Sequence, residues 1–128
     1  MIISNYTTIE EMQKLCGDKF HINEIHVIGQ SDPIDMKDLT SYYAVYAYDV
    51  DHKTNNVSIY VGMSKEIIQN IISDLSKNMV LGFNAVSMEE MVKHFHNINK
   101  AIQFIECGKR VGLLESCGEG FYAYSPTK

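Results

Sequence analysis

The chain reads as an α+β domain, a mainly antiparallel β-sheet with helices packed on one face, in the order β-α-β-β-β-α-α-β-β. Three observations predict this. Tyr42 to Val50 and Val57 to Met63 are rich in aromatic and β-branched residues and flank a polar run from Asp51 to Asn56, the pattern of a hairpin. Stretches beginning at Ser64 and Ser87 repeat apolar residues at spacings of three and four, the pattern of helices buried along one stripe. Strands come in adjacent pairs and helices are grouped, which favours antiparallel neighbours over β-α-β crossovers.

Residues 2 to 4 suit a short strand. Thr8 and Glu11 form a capping box, with the hydroxyl positioned to accept the Glu11 amide. A helix of about eight residues follows, with Ile9, Met12, Leu15 and Cys16 on one face and Gly17 as its stop. Phe20 to Ile28 lacks a helical period and reads as a strand, and residues 29 to 40, with Ser31-Asp32-Pro33, as a loop holding one helical turn. In the hairpin, pairing Val50 with Val57, Tyr48 with Ile59, Tyr46 with Val61 and Ala44 with Met63 makes one face wholly apolar. Tyr43, Val45, Ala47 and Tyr60 then share the other face with Asp49 and Ser58.

Ser64 caps a helix striped by Ile67, Ile68, Ile71, Ile72 and Leu75 and ending at Asn78. Ser87 and Glu90 form a second capping box, with Val86 and Met91 as its staple. From there Met88, Met91, Phe95, Ile98, Ile102 and Ile105 predict a long amphipathic seam over residues 87 to 107, built as one helix or two, with Gly108 as its stop. Val111 to Ser116 and Phe121 to Ser125 form a last hairpin around Cys117-Gly118-Glu119-Gly120. No repeat, low-complexity run or linker interrupts the chain, so residues 1–128 read as a single domain.

A chain of 128 residues with 45% apolar content can bury a core without staples. Its net charge of −5 and singly scattered lysines disfavour nucleic-acid binding, which runs on clustered positive charge. Cys16, Cys107 and Cys117 are odd in number and lack C-x-x-C spacing, as in a reducing compartment. Nothing reads as a signal peptide or membrane span, so the expectation is a cytoplasmic protein with no membrane partner. Ile, Asn, Lys and Tyr outnumber Ala, Arg, Pro and Gly, the bias of an AT-rich genome in a low-GC bacterium or its phage.

No catalytic residue, metal ligand set or cofactor motif emerges. His94 and His96 on one helix lie about 200° apart and cannot share an ion. Asp49-Val50-Asp51 with Asn55 begins like a calcium loop, but Thr54 stands where such a loop needs glycine, and Tyr60 where it needs glutamate. Cys117 sits on a glycine-rich turn without a nucleophile's signature around it.

Candidate ligand-binding residues are Phe83, Asn84, Lys109 and Arg110. Phe83 and Asn84 precede a helix N-terminus, where unpaired amides favour anions. Arg110 is the only arginine, so a two-pronged grip on phosphate or carboxylate is built there or nowhere. A continuous helix would hold these pairs roughly 30 Å apart, so one small ligand reaches both only if the helix breaks or a second subunit contributes. Tyr43 and Tyr60 are candidate interface residues of a homo-oligomer, because both hairpin faces are largely apolar.

These features point to a non-enzymatic binding protein, a phage-type sponge or inhibitor that sequesters an anionic small molecule such as a nucleotide between subunits. The alternatives are an interaction module that docks a partner protein through the tyrosine-rich hairpin, and a cryptic hydrolase using Cys117 or a histidine.

Overall fold

The computed structural model describes residues 7–77, 85–118 and 120–124. The fold is α+β. In chain order the elements are α1 (Ile9–Cys16), β1 (His21–Val27), a 3-10 turn (Met36–Asp38), β2 (Tyr43–Asp51), β3 (Asn56–Met63), α2 (Lys65–Lys77), β4 (Ala85–Ser87), α3 (Met88–Phe95), α4 (Ile98–Arg110), β5 (Leu114–Gly118) and β6 (Phe121–Tyr124). Among the described residues, β1 pairs parallel with β3, while β2 with β3, β4 with β6 and β5 with β6 are antiparallel. The expected strand at residues 2 to 4 lies outside the described residues. The chain divides into two compact units, Met1–Ser64 and Lys65–Lys128.

In the first unit, the Glu11 amide donates to Thr8 Oγ1 at 3.2 Å, and Gly17 leaves the helix at φ +58°, a value glycine reaches without a Cβ penalty. Met12 and Cys16 of α1 join Ile25, Val27, Val45, Val57, Ile59 and Val61 in one apolar cluster on a face of the β1-β3-β2 sheet. Leu15, expected on the buried face, is 71% exposed. It lies on the flank of the stripe set by Met12 and Cys16, beyond the reach of a single sheet face. Both sheet edges are tied down: Ile34 N donates to Ile25 O at 2.9 Å, and Val45 N to Thr7 O at 2.7 Å.

The hairpin register matches the sequence reading only near its turn. Val50 opposes Val57 and Tyr48 opposes Ile59, but a bulge at Tyr46 then brings Val45 opposite Val61 and Tyr43 opposite Met63. A bulge inserts one residue into one strand, so every β2 side chain on its N-terminal side, away from the turn, changes partner. Tyr43 and Val45 therefore face the apolar cluster instead of sharing a face with Tyr60, and Tyr43 packs against that cluster. Tyr46 is buried, its hydroxyl donating to Met63 O at 2.7 Å.

In the second unit, Ile68 and Ile72 of α2 are fully buried, while Leu75 and Asn78 fall outside what is described of side chains. The capping box at α3 is complete: Glu90 N donates to Ser87 Oγ at 3.1 Å, and Ser87 N to Glu90 Oε1 at 3.4 Å. Val86 and Met91 beside it are both buried.

The amphipathic seam over residues 87 to 107, legible in the sequence as one helix or two, is two helices. His96 adopts a left-handed conformation, φ 54° and ψ 25°, and ends α3; Asn97 then caps α4, its Oδ1 accepting the amides of Asn99 and Lys100 at 2.8 and 3.2 Å. The break resets the helical phase. Ala101, Phe104, Ile105 and Gly108 become the buried stripe of α4, and Ile98, expected in the seam, is 59% exposed. Gly108 does not stop the helix either; a Cβ there would come 2.7 Å from Leu114 Cγ, so glycine is needed for α4 to lie against β5. The chain leaves α4 through Val111 and Gly112, the latter at φ +79°.

Candidate functional site

Lys109 and Arg110 occupy the last turn of α4, and both are exposed. Helix carbonyls at a C-terminus favour cations, which accounts for their position electrostatically. Lys109 Nζ also lies 3.9 Å from Glu106 Oε1, one turn back. A ligand anion at this end must therefore be met by side-chain N–H groups, with no help from the helix dipole. Phe83 and Asn84 lie outside the described residues.

On the same side of α4, two turns before Arg110, stands Gln103, which sequence reasoning passed over. It is 3% exposed, and its Oε1 has no hydrogen-bond partner among the described residues. A buried acceptor left without a donor costs roughly 1–3 kcal/mol. The signal in the sequence was a glutamine between Ile102 and Phe104, disguised because the phase of α4 is not set by the apolar spacing that precedes it.

A second group of polar side chains gathers on the face of the first sheet opposite its apolar cluster. The β1-β3-β2 register places Glu24, Ser58 and Asp49 in one row and His26, Tyr60 and Ala47 in the next. His26 Nε2 lies 3.3 Å from Glu24 Oε1. The His26 and Tyr60 rings stack, with centroids 5.2 Å apart and planes 18° from parallel. Tyr60 Oη donates to Asp49 Oδ2 at 3.3 Å. Loss of water and then the negative charge of Asp49 raise the Tyr60 phenol above its ordinary range. Glu24 and His26 were legible as a same-face pair at period two in β1, but nothing local linked them to β2 and β3.

Tyr43 and Tyr60 are not brought together. Tyr43 lies on the apolar side, edge-on to Tyr42 at 5.3 Å, and burial followed by the charge of Asp38 raises its phenol. The remaining motifs fall in different places. Asp51 Oδ1 accepts the Lys53 amide at 2.9 Å, and Asn55 takes φ 59°, so the Asp49 to Asn55 stretch closes the β2–β3 hairpin. His94 is edge-on to Phe95, and His96 is the left-handed residue that ends α3. Cys117 is exposed within β5, at the irregularity between Ser116 and Gly118. Cys16 and His21 do line a common groove, with Gln13, Phe20 and Met36, of about 280 Å³. Burial pushes the Cys16 thiol up, away from the thiolate that nucleophilic work requires. Among the described residues no three His, Cys, Asp or Glu side chains are grouped to hold a metal ion. No described helix is long and apolar enough to cross a membrane.

Compared with protein-family models, with curated proteins and with solved structures, the chain has no match.

Proposed function

We propose that this chain is a binding protein without catalytic chemistry, which captures an anionic small molecule of nucleotide class between the subunits of a homo-oligomer. Arg110 grips the phosphate with Lys109 beside it, and Phe83 and Asn84 supply a ring and an amide for the base. The observation that carries the reading is Arg110, the chain's single guanidinium, exposed at the end of α4. A sponge or inhibitor, encoded by a phage or its low-GC host and working in the cytoplasm, fits a small acidic domain of this kind.

The rival reading, docking of a partner protein through the tyrosine-rich hairpin, has less behind it. Tyr46 is buried, and Tyr43 and Tyr48 pack against the apolar cluster. A thermal-shift screen against linear and cyclic nucleotides tests the proposal. A ligand present at a hundred times its Kd stabilises the folded state by about 2.7 kcal/mol, an easily read rise in Tm. A flat response across nucleotides, sugar phosphates and inorganic phosphate contradicts it.

A further inference from the structure

We draw no further inference here: the strongest candidate, the groove of about 280 Å³ in the first unit lined by Gln13, Cys16, Phe20, His21 and Met36, carries none, because its thiol is a lone buried cysteine and nothing in the structure shows what would fill it.

Discussion

Tyr46 and Gln103 are both buried and both polar, and they do opposite things. The Tyr46 hydroxyl is spent on the Met63 carbonyl, so the ring is buried without leaving a donor behind. Tyr46→Phe should cost about 1–2 kcal/mol, because it strands that carbonyl. Gln103 Oε1 has no such partner among the described residues, and Gln103→Met, of similar shape, should be neutral or stabilising in urea denaturation. Equal losses in the two variants would show that Gln103 is bonded after all. The hairpin turn supplies a pH dependence. Asp51 is held below the usual carboxylate range, chiefly by the Lys53 amide and further by Thr54 and the charge of His52. Its folded value is thus depressed. Its contribution is present above the ordinary carboxylate pKa and is lost as pH falls through the lowered value. In a series of urea midpoints from neutral to acid pH, Asp51→Asn should decline less steeply than wild type; parallel curves would mean the Asp51 contact is absent in solution.

Among the elements, those with local chemistry were legible in the sequence. The caps at Thr8 and Ser87, the stop at Gly17 and the β2–β3 hairpin follow from residues within a few positions of one another. What escaped depends on distant partners or on small local costs. The parallel pairing of β1 with β3 joins segments more than thirty residues apart, and β4 is three residues long and exists only because β6 pairs with it. The bulge at Tyr46 carries no glycine to announce it. The helix break was written as His96-Asn97, a left-handed residue and a cap, but the apolar spacing continues from Phe95 to Ile98 and hides it. The candidate site shared this fate: Arg110 stood out by its rarity, whereas the grouping of Glu24, His26, Asp49 and Tyr60 needed the register of three strands. The break can be tested directly. His96→Gly should stabilise the protein by about 1 kcal/mol by relieving a left-handed conformation that costs a residue with a Cβ, while His94→Gly, inside α3, should destabilise it by a few tenths of a kcal/mol. Destabilisation at both positions would mean that α3 and α4 are continuous.

For the molecule as a whole, the proposed site between subunits requires assembly. Light scattering behind a sizing column should return at least twice the 14.6 kDa of one chain at micromolar concentration; a constant 14.6 kDa over a range of concentrations would remove the shared site. The most direct test of anion capture is calorimetric titration of wild type and Arg110→Lys with the nucleotide that most raises Tm. Lysine keeps the charge and loses the planar fork, so affinity should fall at least tenfold, about 1.4 kcal/mol, with stability unchanged. Equal affinity in the two proteins would contradict the central role given to Arg110.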